Sequence, residues 1–291
     1  MSDAIDKRPA ADVVVPFAGE TAALRDLRER LAGLELRADD TLTIVDNRPV
    51  SGEAVPGVVR APERQSSYFA RNAGVRGGSN PWLLFIDADV DPPPDLLDAY
   101  FETGVDRHTA VLAGGVVDEP VEPGARAPAA TRFALLHASM SQSNTMLEGR
   151  WSYAQTANCM VRREAFEAVG GFRDNLRSGG DADLCFRLRD AGWGIEARER
   201  AAVVHRSRRT MRTLLRQRAR HGAGAAWLDR EYPGAFPAQR RLGLAKWTAQ
   251  SWASAVAARA RGRRDDALVA AVEPVWVWAF ELGRRFGNEV R

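Results

Sequence analysis

Cysteine and lysine are nearly missing from this 291-residue chain: it has two cysteines, Cys159 and Cys185, and two lysines, Lys7 and Lys246. Two thiols in predicted element interiors, without metal-type spacing, argue against a disulfide framework and fit a reducing cytoplasm. No apolar run reaches the roughly 18 residues that a membrane-spanning helix needs. The longest candidate, residues 267–280, is interrupted by Glu273 and Pro274. The first eleven residues are polar and of mixed charge, without the apolar stretch of a secretory leader. No internal repeat is visible. Net charge is also scant, at +3. That small sum hides an asymmetry. Residues 1–200 carry a balance of −8, and residues 201–291 one of +11 with five of the eight tryptophans. A basic, Trp-rich segment suits an anionic surface.

What is present is globular: 45% hydrophobic and 27% charged residues. Residues 82–92 are the densest stretch. The apolar run Trp82-Leu83-Leu84-Phe85-Ile86 is followed by Asp87, Asp89 and Asp91, then by prolines 92–94. Such a run predicts a strand buried on both faces, which the prolines end. The carboxylates then stand at a C-terminal sheet edge, where open α/β sheets bind ligands. Asp87 and Asp89 point the same way and suit one hard cation.

Strands are expected at residues 12–16, 41–46, 58–60, 82–86, 110–117, 158–161 and 201–204. Helices are expected at 21–33, 66–75, 94–106, 131–147, 163–169, 181–191 and from 210 onward. Residues 47–57 and 118–130 are expected as loops, the second a mobile one. The β-α-β-β-α-β order of the first half implies a mostly parallel, doubly wound sheet. Such a sheet gathers Asp46, Asp87, Asp89 and His205 at strand ends, with Asp181 at a helix start. A metal-type pair, a lone carboxylate and a histidine suit group transfer from a diphosphate.

Seven segments carry a family resemblance, in order: Val13–Pro16, Ile44–Asn47, Ala70–Gly74, Phe85–Asp89, Asn158–Arg163, Ala168–Phe172 and Gly180–Leu188. Over residues 12–225 the chain resembles the family 2 glycosyltransferases of the GT-A fold. The resemblance implies an α/β fold with a mostly parallel doubly wound sheet flanked by helices. It divides the chain into a catalytic domain at 10–225 and a C-terminal helical extension at 226–291. It implies a nucleotide-sugar donor, a divalent metal (Mn or Mg) and an inverting, non-processive transfer. Pro16, Asp46, Arg71, Asp87 and Asn158 would hold the donor, with Asp46 at the base. Asp87, Asp89 and His205 would hold the metal. Asp181 would be the general base, and Gly170-Gly171-Phe172 would line the acceptor side.

The chain departs from the family at two places. Gly180 stands where the family has Glu before the base, which makes Asp183 a rival to Asp181. Gln217-Arg218-Ala219-Arg220-His221 keeps Gln-x-x-Arg but has His in place of the Trp of processive synthases. Two other readings stand beside this one. A non-catalytic nucleotide-sugar-binding or scaffold protein would leave Gly180 as the mark of a decayed site. A sugar nucleotidylyltransferase would carry a Gly-rich loop with Arg and Lys after the first strand, where this chain has Phe17-Ala18-Gly19-Glu20.

The extension shows stripes at helical spacing at 244, 247, 251 or 252, and 256, and an apolar one at 268, 272, 275, 279 and 282. They suit helices packed on the catalytic domain, or a surface meeting an anionic membrane that displays a lipid-linked acceptor. The location expected is the cytoplasm or the inner face of the cell membrane. Nucleic acid is not an expected partner, since no recognition motif accompanies the charge.

Overall fold

The computed structural model describes residues 8–49, 55–121, 127–147 and 149–290. Parts of both expected loops, at 50–54 and 122–126, lie outside the described residues. Eight strands form one sheet in the order β3-β2-β1-β4-β7-β6-β8-β5. They are β1 (Ala11–Phe17), β2 (Thr41–Asp46), β3 (Val59–Arg60), β4 (Trp82–Ile86), β5 (Val90–Asp91), β6 (Thr109–Asp118), β7 (Asn158–Arg162) and β8 (Gly194–His205). β1 and β4 are buried along their whole length, as uninterrupted apolar runs require.

The sheet is more mixed than the βα alternation suggests. Four pairings are parallel, and three are antiparallel: β4 with β7, β7 with β6, and β5 with β8. The two-residue β5 has a large effect on the site. It pairs Val90 with His205 and so sets the acidic turn after β4 beside the end of β8.

Helices α1 (Thr21–Leu31), α2 (Ser67–Val75), α5 (Arg163–Ala168) and α6 (Gly180–Asp190) form where helical periodicity predicts them. Ser66 caps α2 by accepting the Tyr68 and Phe69 N–H groups. Three expectations need correction. The helix at 94–106 shrinks to α3 (Leu96–Ala99). Arg198 of β8 takes the Tyr100 and Gly104 carbonyls at 3.1 Å each, so they do not serve a helix. The helix at 131–147 ends early as α4 (Ala129–His137), because Ala138 adopts a left-handed conformation. Gln142 then bonds the backbone of Gln155 and Asn158. The last strand begins at Gly194 instead of residue 201. Its charged first half lies at an exposed part of the sheet and pairs with β6.

Three long helices complete the fold: α7 (Met211–Glu231), α8 (Arg241–Ala260) and α9 (Arg264–Gly283). α7 runs without a break through the expected 225/226 division. It meets α9 backbone to backbone. A Cβ on Gly222 would overlap the Phe280 carbonyl, and one on Gly283 the Ala219 carbonyl. α9 also packs on α4, with Leu268, Val272 and Trp276 against Phe133 and Leu214. α8 buries Leu244, Thr248, Ala255 and Ala258. Trp252 and Val256, expected on its packed stripe, are instead 50% and 72% exposed, as small residues allow closer approach on the other side.

Beyond α9 the chain returns to the loop before α6. Arg177 N–H donates to the Asn288 carbonyl (2.8 Å), and Val290 N–H to that of Asn175 (2.7 Å). Asn288 Nδ2 donates to the Ser178 carbonyl at 2.9 Å, and Leu176 and Glu289 form an antiparallel bridge.

Candidate active site

The three carboxylates after β4 have separate partners. Asp87 pairs with Arg71 of α2. Asp89 lies 3.0 Å from Arg208 and 3.8 Å from His205 Nε2. Asp91 is structural, held by Arg30 (3.0 Å) and Arg206 (2.8 Å). Arg30 also donates to the Ala88 and Val90 carbonyls, which fixes the turn from the α1 side. Burial pushes the Asp89 carboxyl above its usual range and the Asp87 charge adds to this, while His205 and Arg208 oppose it.

His205 donates to or accepts from Asp118 through Nδ1 at 2.9 Å. With Nδ1–H donated, Nε2 keeps its lone pair on the Asp89 side. A carboxylate that orients an imidazole in this way is a common support for a metal ligand. Burial disfavours the imidazolium, but the Asp118 bond and the charges of Asp89, Asp118 and Asp87 outweigh it, so the pKa is raised. Carboxylate oxygen with imidazole nitrogen suits a transition ion such as Mn better than Mg, which takes oxygen ligands. Two of the three expected ligands, Asp89 and His205, therefore face each other, and Asp87 is turned to Arg71. Among the described residues no three His, Cys, Asp or Glu side chains are gathered as a metal site.

Asp181 and Asp183 part company on the first turn of α6. Asp181 faces a cavity of about 950 Å³. Burial pushes its carboxyl up; the Ala182 N–H (3.0 Å) and Arg71 only partly offset that. Asp183 is fully buried and does not line the cavity. It accepts from Arg187 (3.0 and 2.7 Å) and Tyr232 Oη (2.8 Å), with Arg173 at 3.1 Å. It anchors α6 to α7 and its flank, which corrects its standing as a rival base. Gly180 has a packing reason. A Cβ there would come within 2.8 Å of the Tyr68 ring, so Tyr68 fills the space beside Asp181.

Pro16, Arg71, Asp87 and Asp89 line the same cavity as Asp181. They come from β1, α2, the turn after β4 and the start of α6. Arg71 is almost fully buried, its guanidinium over the Tyr68 and Phe172 rings, and its Nε has no partner among the described residues. Asp46 and Asn158 do not line it. Asp46 is fully buried under Arg48 (2.9 and 2.8 Å) and Arg60 (3.0 Å). Burial alone would raise its pKa, but these contacts hold it below the usual range. Asn158 is a core clamp. Its Nδ2 donates to the Gly115 (2.9 Å) and Ala201 (2.7 Å) carbonyls, and Oδ1 accepts from Tyr100 (2.7 Å). That spends its amide on joining three strands. Gly170 and Gly171 have positive φ and end α5. Phe172 packs on Phe85 and Phe166, bracketed by Asn72, and does not line the cavity.

Several lining residues escape sequence reasoning. Trp276 and Phe280 of α9 form part of the wall, and Arg218 of α7 lies over both rings at 3.4 and 4.3 Å. At helical spacing they look like ordinary packing residues. Burial pushes Arg218 down to about 10. Burial and the neighbouring Arg220, Arg218 and Arg208 push His221 down to about 3, so its ring is neutral. Asp118 could have been found, since it ends β6 as Asp46 ends β2. Arg71, Arg208, Arg218 and Arg220 make this cavity attractive to anions.

Residues 82–278 match the model of glycosyl transferase family group 2. The chain is 28% identical over 233 residues to a pre-mycofactocin glycosyltransferase of Mycobacterium tuberculosis, covering 76% of this chain and 48% of the relative. It is 32% identical over 193 residues to the glycosyltransferase AglE of Haloferax volcanii, covering 64% and 58%. It is 29% identical over 221 residues to the succinoglycan biosynthesis protein ExoA of Rhizobium meliloti, covering 74% and 60%. The chain thus spans about half to three-fifths of the length of these relatives. Among solved structures it is similar in fold to the mannosyltransferase PcManGT of Pyrobaculum calidifontis, in complex with GDP-Man and Mn2+. That likeness has a TM-score of 0.56 at 18% identity, over 94% of this chain and 84% of that one.

Proposed function

The chain belongs to glycosyl transferase family group 2, and from that membership we propose that it moves one sugar from a nucleotide-sugar donor to an acceptor hydroxyl, with inversion. The observation that carries the proposal is convergence. Three segments, α2, the turn after β4 and the start of α6, bring Arg71, Asp87, Asp89 and Asp181 to one basic cavity.

In this reading Asp181 takes the proton of the acceptor hydroxyl. The oxygen attacks the anomeric carbon as the bond to the diphosphate breaks, and the nucleoside diphosphate leaves. Arg71 and Arg218 each have a buried Nε–H on this cavity without a partner among the described residues, which suits diphosphate oxygens. Asp89 and His205, with Asp87 turning from Arg71, would hold a divalent metal, which when bound neutralises charge on the leaving diphosphate. Pro16 and the chain after β1 would border the nucleotide, with Asp46 supporting that edge from below. Tyr68 in the space beside Gly180 speaks for a repacked site and against a decayed one.

The test is a thermal-shift screen of nucleoside diphosphates and their sugars with Mn, followed by donor hydrolysis. Mn-dependent release of nucleoside diphosphate is expected, and Asp181→Asn should abolish it while donor binding persists. Turnover undiminished in Asp181→Asn would overturn the base assignment. No described helix is long and apolar enough to cross a membrane. A peripheral place at the cytoplasmic membrane face is favoured by the outward side of α8. Leu242 and Val256 are 89% and 72% exposed there, with Arg240, Arg241, Arg259 and Arg261 at the helix ends.

A further inference from the structure

Beside the first cavity lies a second, of about 540 Å³. One wall is a face of α7, where Thr213, Arg216, Gln217 and Arg220 recur at three- and four-residue spacing. Arg177, from the loop before α6, and Asn288 form another part of the lining. No Asp or Glu is among the lining residues. Arg177, Arg216 and Arg220 make no ion pair among the described residues, and Arg208 alone is paired, with Asp89. Some arginines elsewhere find carboxylates, as Arg173 does with Glu231 and Arg206 with Asp91. Arg209 and Arg212 are exposed and line neither cavity, which is what a merely solvated basic helix end looks like. Arg208, Arg216 and Arg220 differ from them because they surround a concavity with Arg177. Four like charges around one hollow repel one another until an anion enters.

The place of this hollow matters. Arg177, Arg208, Gln217 and Arg220 line both cavities, so the two adjoin. Arg177 opens the 177–179 segment that leads into Asp181. A molecule anchored in the second cavity therefore touches side chains that also border the cavity holding Asp181. Asn288 Oδ1, on the same lining, is buried without a partner among the described residues and can accept from a hydroxyl.

We propose that the second cavity is an anion subsite for the acceptor, holding a phosphate group carried by the molecule whose hydroxyl is glycosylated. Phosphate is favoured over carboxylate because its three terminal oxygens and second charge can engage several guanidinium forks, where a carboxylate fills one. The inference rests on the first cavity being the transferase site, but its test does not.

Isothermal titration of the full chain with sn-glycerol 3-phosphate at low ionic strength should give saturable binding. Arg216→Gln, which touches the second cavity alone, should weaken it on the order of tenfold. Arg216→Lys should recover part of the loss, and Arg212→Gln should bind as the unsubstituted chain does. Circular dichroism melting checks that each variant folds. Absence of saturable binding, or equal affinity in Arg216→Gln, overturns the subsite. A parallel titration with monomeric dihexanoyl phosphatidic acid separates the sources. Tighter binding than glycerol phosphate identifies a lipid-borne phosphate, with Phe286 on the lining as its apolar contact, and equal binding identifies a free phosphate ester. The melting shift with nucleoside diphosphate and Mn, run on the same samples, reports the first cavity separately. Its loss beside intact Arg216-dependent binding would sink the transferase reading, and with it the acceptor role, while leaving the anion site.

Discussion

Asp181 holds a charge that its surroundings disfavour, since burial raises its pKa above the ordinary value of 3.8. A carboxylate whose folded pKa exceeds its unfolded one stabilises the fold only at low pH. That contribution is lost as pH rises through the folded value. At neutral pH the ionised group is therefore a cost, and Asp181→Asn should raise the melting temperature while lowering turnover by about 10²–10⁴-fold. The same shift fixes the pH profile. The acid limb of kcat should lie above the ordinary carboxylate range and vanish in Asp181→Asn. Asp183 behaves oppositely. Its carboxylate is closed in by Arg187, Arg173 and Tyr232, so Asp183→Ala removes an acceptor that three donors share and should cost about 1–3 kcal/mol in urea denaturation.

At the scale of elements, the α7–α9 crossing depends on two missing side chains. Gly222→Ala would press a methyl into the Phe280 carbonyl and part the helices, costing about 1–3 kcal/mol. Because Trp276 and Phe280 then leave Arg218, donor affinity should fall with stability, as thermal shift would record. These elements also show what was legible beforehand. β1 and β4 were plain, because a strand buried on both faces writes itself as an apolar run. The acidic turn, the start of α6 and the end of β8 followed from those strands and from turn chemistry. The helix expected at 94–106 stops at Ala99 because the Tyr100 and Gly104 carbonyls go to Arg198, an arginine almost a hundred positions away that no local pattern announces. Asn158 and Asp46 had the right residue types at the right strand ends. Whether such a group faces a cavity or a pair of arginines is decided by tertiary neighbours. On α8 Leu244 is buried as its stripe implies, but alanine and threonine carry the rest of the packed side, and Val256 of that stripe faces outward.

Across the whole molecule, the acidic first two-thirds and basic last third give the protein an electrical polarity. A membrane-facing α8 predicts sedimentation with phosphatidylglycerol vesicles at low salt, weakening as salt rises. Leu242→Glu with Val256→Glu should abolish it, and binding that persists in that pair would leave α8 without this role.

The pairing of residues 288–290 with the loop at 175–178 has a kinetic consequence. Its contacts span 110 positions in the chain, so they close one of the longest sequence separations in the fold. Such contacts form after local ones, because the entropy of closing a long loop must be met first. The segment that presents Asp181 therefore reaches its final shape only when α7, α8 and α9 are docked. In refolding from urea, the far-UV helical signal should return before nucleoside-diphosphate release does. The amides of residues 176–178 should gain hydrogen-exchange protection with the later phase.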